Sequence, residues 1–335
     1  MSGRIKCATR ADVAERAGVS VTVVSYVMNN NRYVDQDKRE RVLKAARELN
    51  YTPNNIALAL RGKNSGQILF IVDSPANERL GYLMRGMDQY AYEKGSVVTL
   101  CATRNDPEFV RQVIRRRFDG IIVSSLQLDE QYIREFIRSG IPVVLLLTHE
   151  YGSVEGAAKI GTGLRHGAQS AVRFLYDKGC RNFVYMDRFS ARNHFSDMND
   201  CRLSGFVTAC RELGVAWEDR IISGCTDAGM MQDRLEAFAK AHPVDAVVGR
   251  NDRVACYAMR GLMKRGYRIP QEVKVVGFDD SSICNLVTPT LTSVHLEDDE
   301  ICREAIERIY RLRDGEEIKE TPHFATTIIE RNSTG

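Results

Sequence analysis

Residues 9–29 read Thr9-Arg-Ala-Asp12-Val13-Ala14-Glu-Arg-Ala17-Gly18-Val19-Ser20-Val21-Thr22-Val23-Val24-Ser25-Tyr26-Val27-Met28-Asn29. Thr9 followed three positions later by Asp12 is a capping-box pair, and an acid there suits the positive end of a helix dipole. A helix therefore starts after Thr9 and runs through Val13, Ala14 and Ala17. It stops at Gly18, because glycine takes the left-handed conformation that closes a helix and opens a tight turn. Val19 fills the space under that turn, and Ser20 caps a second short helix, Val21 to Met28. Small side chains at Ala14 and Ala17 let the two helices cross closely, so the stretch predicts a helix-turn-helix. Such a pair offers the start of its second helix to a major groove. Ser20, Ser25 and Asn29 are short hydrogen-bonding groups suited to phosphate oxygens, Thr9 stands with them, and Val21, Thr22 and Tyr26 lie on the face toward base edges. Asp35 caps a third helix through Leu49, with Val42, Leu43, Ala46 and Leu49 as its buried stripe. A three-helix bundle without nucleic acid is the plainer alternative.

Charge favours the DNA reading. Residues 1–63 carry twelve Lys/Arg against six Asp/Glu, a net +6, whereas the rest of the 335-residue chain is at −3. A basic head on a mildly acidic body calls for a polyanionic partner for the head. The whole chain is 44% hydrophobic and 27% charged, which excludes disordered and collagen-like classes. Its length corresponds to two or three domains. Its longest apolar run, Ile141 to Leu147, is strand-length, so neither a membrane span nor a signal peptide is expected. Nine cysteines, with no CxxC pair among them, fit reduced thiols in a cytoplasm, and the histidines lack metal-ligand spacing. No cofactor is expected.

The segment Tyr51-Thr-Pro53-Asn54-Asn-Ile-Ala57-Leu58-Ala-Leu60-Arg-Gly62-Lys-Asn-Ser65 joins head to body. Pro53 and Gly62 bracket a helix too short to hold alone in water. Leu58 and Leu60 are apolar in a linker that otherwise ends in polar residues. They would pack against a second chain, or a leucine would insert between base steps from the minor groove.

Thr9-x-x-Asp12-Val13-Ala14-x-x-Ala17-Gly18-Val19-Ser20, Val24-Ser25-x-Val27-x-Asn29 and Tyr51-x-Pro53-Asn54 together resemble the LacI/GalR family of bacterial transcription regulators. The resemblance implies a homodimer whose paired hinge helices enter the minor groove of a near-palindromic operator. Leu60 would be the wedge, with Asn54 and Ala57 beside it, and Val21, Thr22 and Tyr26 would read bases. Val23 stands where the family usually has Thr, and Asp35 replaces a common Ser or Thr cap, adding a negative charge near DNA.

From Gln67 onward, short apolar strands alternate with amphipathic helices. Ile68–Val72, Val97–Cys101, Gly120–Val123 and Pro142–Leu147 form one strand series, and Phe183–Met186, Ala246–Val248 and Val273–Gly277 a second. Such alternation means parallel sheets covered on both faces, here two doubly wound α/β subdomains. The resemblance implies a periplasmic-binding-protein-like pair with three chain crossings and a ligand in the cleft. Its expected domains are a helix-turn-helix head at 1–52, a hinge at 53–65, an N-subdomain at 66–160 and 293–325, and a C-subdomain at 161–292 and 326–335. Open parallel sheets bind ligands at the carboxyl ends of their strands. The polar residues there are Asp73 and Ser74, Ser124, Thr148, Asn251 and Asp252, and Asp279 and Asp280. Arg202-x-x-Gly205-Phe206, Asn251-Asp252-x-x-Ala255, Gly277-Phe278-Asp279 and Pro289-x-Leu291-Thr292 resemble the family's signatures. The resemblance puts Arg202 on the effector, and the candidate effector set is Ser74, Ser124, Arg202, Asn251 and Asp279. Arg and Asp facing one cleft suit a polyhydroxyl or nucleobase-like ligand. Arg250 and Arg253, flanking Asn251 where the family tends to have small or neutral residues, point to a negatively charged effector such as a phosphorylated or acidic sugar.

The function expected is therefore an effector-controlled, sequence-specific repressor, not an enzyme. Two alternatives stand beside it. Gly161-x-Gly163-x-x-x-Gly167, with Asp187 ending the next strand, has the look of a nicotinamide dinucleotide fingerprint, although Arg165 and His166 interrupt it and no catalytic constellation follows. A sugar-binding module without a DNA role is the other.

Overall fold

The computed structural model describes residues 8–29, 32–52, 64–152, 154–191 and 193–335. The chain divides into two compact units, Met1–Ser65 and Gly66–Gly335. Asn54, Ala57 and Leu60 lie outside the described residues.

In the first unit, α1 (Arg10–Ala17), α2 (Val21–Asn29) and α3 (Gln36–Glu48) enclose a small core of Val13, Ala14, Ala17, Val24, Val27 and Val42. The capping box is made on both sides: the Asp12 amide donates to Thr9 Oγ1 at 3.3 Å, and the Thr9 amide to Asp12 Oδ2 at 2.7 Å. Gly18 closes α1 in the left-handed region, at φ 64°. Asp35 caps α3 by accepting from the Lys38 amide. One expectation fails here. Leu43 is 38% exposed, and Ala45 takes its place in the core. The contact stripe of α3 runs through 42, 45, 46 and 49, the i, i+3, i+4, i+7 positions of a helix, and 43 lies beside that stripe.

The second unit holds two sheets. The first runs β2–β1–β3–β4–β5, all parallel, from β1 (Gln67–Val72), β2 (Val97–Ala102), β3 (Gly120–Ser124), β4 (Val143–Leu147) and β5 (Ala158–Gly161). Helices α4 (Glu78–Glu93), α5 (Pro107–Arg116) and α6 (Glu130–Arg138) connect its strands. The second comprises β6 (Phe183–Met186), β7 (Ile221–Ile222), β8 (Ala246–Gly249), β9 (Lys274–Phe278), β10 (Thr292–Leu296) and β11 (Thr326–Ile329). Its order is β11–β10–β9–β8–β6–β7, parallel except for the β10–β11 pair. It is covered by α7 (Leu164–Asp177), α8 (Cys201–Leu213), α9 (Ala228–Ala241) and α10 (Asp252–Lys264). The central strands are buried on both faces, as the unbroken Val/Ile/Leu runs require.

The last helix, α11 (Asp298–Arg313), returns to the first sheet. Its Ile301, Cys302, Ala305, Ile306 and Ile309 pack with Leu83 and Met87 of α4. The chain thus passes between the sheets after β5, after β10 and before β11. Where it crosses, the Gly161 amide donates to Pro322 O at 2.8 Å and the Phe324 amide to Gly161 O at 3.3 Å. The boundary expected at 293 falls inside β10, which pairs with β9, so the return to the first sheet begins after Leu296. The short strands β5, β7 and β10 were not separated by sequence reading.

Candidate functional site

In the head, α2 and the caps before α1 and α2 carry the predicted contact residues. Ser20, Val21 and Thr22 are exposed, while Ser25, Tyr26 and Asn29 are half-buried. Asn29 Nδ2 donates to Ser25 Oγ at 3.1 Å, one turn apart on the same face. Ser20 Oγ accepts from the Val23 amide at 3.4 Å, so it caps α2. Thr9 Oγ1 is engaged in the α1 cap and also donates to Asp12 Oδ2. Arg32, which sequence reading passed over, lies over the Tyr26 ring at 5.2 Å and donates to its hydroxyl at 3.4 Å, fixing the direction of that side chain. Tyr33 beside it is 94% exposed.

In the second unit a cleft of about 360 Å³ opens where the strand order reverses in both sheets, beyond β1 and β3 on one side and β6 and β8 on the other. Ser74, Ser124, Arg202, Asn251 and Asp279 all line it, so the structure brings the predicted effector residues together. Arg202 comes from the first turn of α8. Its Nη2 lies 2.6 Å from Asp279 Oδ1, and its guanidinium stacks on Phe278 at 4.7 Å. Burial, with Arg250 and Arg79 nearby, outweighs Asp279 and holds Arg202 below the ordinary arginine range. Asp279 sits at φ 99°, a left-handed conformation that costs energy for any side chain but glycine. That backbone turns its carboxylate toward Arg202 and, across the cleft, toward Arg79 of α4 at 3.9 Å. Arg79 is paired bidentately with Asp298 at the start of α11, through Nη2 at 2.7 Å and Nε at 3.1 Å. A second link across the cleft runs from the Ser282 amide to Glu78 Oε1 at 3.1 Å.

Two expectations are revised. Asn251 lines the cleft, but its Oδ1 accepts from the Val254 amide at 2.9 Å, so it caps α10 and has only its remaining polar capacity for a ligand. Arg250 is no free cation. Its Nη2 is 2.5 Å from Asp200 and its Nε 3.5 Å from Asp187, and these carboxylates overcome burial to hold it charged. Arg253 is exposed, with its guanidinium over Phe189 at 5.2 Å.

Sequence reading missed the network beneath the cleft. Asp187 accepts from the Ser196 amide and hydroxyl and from Ser223 Oγ. Asp200 accepts from the Arg202 and Leu203 amides, capping α8, and shares with Asp187 the single proton of the Ser196 hydroxyl, which lies 3.0 Å from its Oδ2. Burial pushes the Asp200 carboxyl up, but Arg250, Arg202 and Arg188 together hold it below the usual carboxylate range. The segment from Asp187 to Asp200 also reaches the first sheet. The Cys201 amide donates to Thr148 O at 3.0 Å and the Glu150 amide to Asn199 O at 3.3 Å, a backbone clasp between the two halves. The one available signal was an Asp-Arg pair directly after an apolar strand.

The glycines of the dinucleotide-like stretch are filled by protein. A Cβ on Gly163 would stand 2.7 Å from Thr326 Cγ2 and 2.9 Å from Phe324 O, and one on Gly167 2.9 Å from Phe278 Cζ. Asp187, the would-be ribose acid, is 1% exposed and occupied by serines. No pyrophosphate cradle exists at this position. Among the described residues no helix is long and apolar enough to cross a membrane, and no cluster of metal-binding side chains is present.

The family described as bacterial regulatory proteins, lacI family, matches residues 9–54, and the periplasmic binding protein-like domain matches residues 172–334. The chain is 31% identical to the HTH-type transcriptional repressor PurR of Vibrio parahaemolyticus, over 97% of this chain and 98% of that protein. It is 31% identical to the ribose operon repressor of Halalkalibacterium halodurans, over 85% and 84%. Its fold superposes on the lac repressor dimer bound to operator and an anti-inducer with a TM-score of 0.82 at 24% identity, covering 98% of this chain and 99% of that one. A capped helix-turn-helix ahead of two crossed parallel-sheet halves, with full-length similarity to repressors of that same build, makes this chain a member of the LacI family and a DNA-binding transcriptional repressor.

Proposed function

We propose that the protein represses transcription as a homodimer on a near-palindromic operator and that a small polar effector, a sugar or sugar derivative, binds between its two subdomains to control it. The observation that carries this reading is the cleft at the paired switch points. It holds Arg202 and Asp279 in a charge-assisted pair, with hydroxyls of Ser74 and Ser124 nearby, a lining suited to a hydroxyl-rich molecule. Val21, Thr22 and Tyr26 read base edges. Thr9, Ser20, Ser25 and Asn29 hold the phosphate backbone, the two caps through capacity their hydroxyls retain. Asn54, Ala57 and Leu60 engage the minor groove, with Leu60 as wedge. The lac repressor named above was captured as a dimer on its operator, which is the assembly proposed for this chain.

Effector binding changes how the two halves close, and this alters how the hinges are presented. Coupling is reciprocal, so operator binding changes effector affinity by the same factor. Operator affinity is expected to fall steeply with salt, with a log–log slope of about −0.9 per phosphate neutralised, in fluorescence anisotropy between low and physiological ionic strength. A flat response would remove the duplex from the reading. Leu60→Ala is expected to weaken specific binding by an order of magnitude or more while barely changing non-specific binding, because a wedge contributes only where the duplex kinks. Equal losses on both kinds of DNA would eliminate the wedge. The identifying experiment is selection of bound random duplexes by the full-length protein, repeated with a sugar library. Recovery of a two-fold-symmetric site whose occupancy a sugar changes is expected, and failure to enrich any site would sink the proposal.

A further inference from the structure

Four buried or half-buried arginines border the cleft, and they are not alike. Arg79, Arg202 and Arg250 each have a carboxylate oxygen within 2.7 Å. Arg188, two positions after the end of β6, has none. Its nearest carboxylates are Asp200 at 3.7 Å and Asp73 at 3.9 Å, both beyond hydrogen-bond reach. Neither can turn to it. Asp200 already serves Arg250, Ser196 and two backbone amides. Asp73 is held by Ser125 Oγ and, at 2.9 Å, by the Leu126 amide. Arg188 Nε and Nη2 are therefore buried with no hydrogen-bond partner among the described residues, and Arg202 Nε is in the same condition.

Nε and Nη2 form one edge of the guanidinium, the fork that pairs with two oxygens of a planar acceptor. The Arg79–Asp298 pair uses that same edge elsewhere in this molecule. Building upon the effector-cleft reading, we infer that Arg188 selects the effector's chemistry: the cleft takes a small polyhydroxylated molecule bearing a carboxylate, a sugar acid, in preference to its neutral counterpart. A carboxylate supplies two coplanar oxygens and one negative charge. A phosphate monoester would bring nearly two charges to a place already flanked by Asp73 and Asp200. Burial, together with the neighbouring Arg250, pushes the Arg188 guanidinium down to about 10, so a further anion there is electrostatically welcome. The anionic character expected from Arg250 and Arg253 thus belongs to a different residue. Arg188 stands in the second half and Asp73 in the first, so a ligand held by Arg188 also meets the group that approaches it on closure.

The test is calorimetry on the full-length protein with matched probes: glucuronate against glucose, galacturonate against galactose, ribonate against ribose, and glucose 6-phosphate as the phosphate arm. At least one acid is expected to bind thirtyfold or more tightly than its neutral partner. Arg188→Met is expected to erase that difference while leaving the neutral sugar within threefold. Arg188→Lys, which keeps the charge but not the fork, is expected to lose about tenfold for the acid. It also guards against a folding defect in the methionine variant. Neutral sugars binding as tightly as the acids in every pair, a preference for the phosphate, or acid affinity unchanged in Arg188→Met would each overturn the inference. If neutral sugars bind and alter operator affinity, the effector reading survives without Arg188. If no probe of any class binds or alters operator affinity, both fall together.

Discussion

Asp200→Ala is expected to destabilise the second unit by about 3–5 kcal/mol, the range for removing one partner of a buried ion pair. The carboxylate is 1% exposed and is the short partner of Arg250, which is itself buried. Without it, Arg250 keeps Ser196 Oγ at 3.0 Å and Asp187 at 3.5 Å, Arg188 loses its nearest negative charge, and α8 loses its cap. The cap alone accounts for about 1 kcal/mol. Trp217 is the single tryptophan in the chain and packs against the core of the second sheet, so its fluorescence during urea unfolding reports on the affected half. Asp200 is held below the ordinary carboxylate range, so its contribution is complete above the unfolded pKa near 3.9 and is lost as pH falls through the folded one. The variant should therefore show a shallower loss of stability in acid. A midpoint shift worth less than about 1 kcal/mol would mean that Asp187 and Ser196 carry Arg250 unaided.

Asp252 is expected to behave in the opposite sense. It opens α10, is 1% exposed, and accepts from the Ser281 amide at 2.7 Å, from Ser281 Oγ at 2.8 Å and from Ser293 Oγ at 2.5 Å. No cation among the described residues pairs with it. Burial and the negative charge of Asp279 push its carboxyl up to about 6. A raised carboxyl favours folding while it is protonated, so its stabilisation is fully present below about 3.9 and is lost as pH rises through about 6. The shift of about two pH units corresponds to about 3 kcal/mol across that window. Asp252→Asn keeps an acceptor for the Ser281 amide and removes the buried charge. It should raise stability at pH 7.5 by a large part of that amount and flatten the profile between pH 4 and 6.5. Thermal unfolding across that range decides it. An asparagine variant that is less stable than wild type at pH 7.5 would show that the carboxylate's hydrogen bonds outweigh its burial.

The head was legible because local rules govern it. Thr9 with Asp12, Ser20 and Asp35 each announce a helix start through a side chain acting within four residues, Gly18 announces a helix end through its left-handed backbone, and each is found at that end. Leu43 was misplaced because composition marked it apolar while helix geometry turned Ala45 inward. In the body, long apolar strands flanked by amphipathic helices disclosed the layers. Strands β5, β7 and β10 did not stand out, since each is short and takes its identity from neighbours distant in sequence. Arg202 and Asp279 were placed on the cleft through motifs, and Ser124 through its position at the end of a strand. Arg188 and Asp200 were not, and Asp187 was read as a ribose acid, because their meaning depends on which charges meet across the fold. Arg250 was found and misread for the same reason: its sequence neighbours conceal the two aspartates that neutralise it.

The clasp between the halves consists of main-chain groups, from Cys201 to Thr148 and from Glu150 to Asn199. Side-chain replacement, short of proline at a donor, leaves such bonds standing. Mutational drift can therefore reshape the wall of the cleft while the joint between the halves persists. On the proposed effector reading, a lineage built on this chain could exchange one effector for another in a few steps, and its dose–response would change in threshold long before it lost its ability to respond.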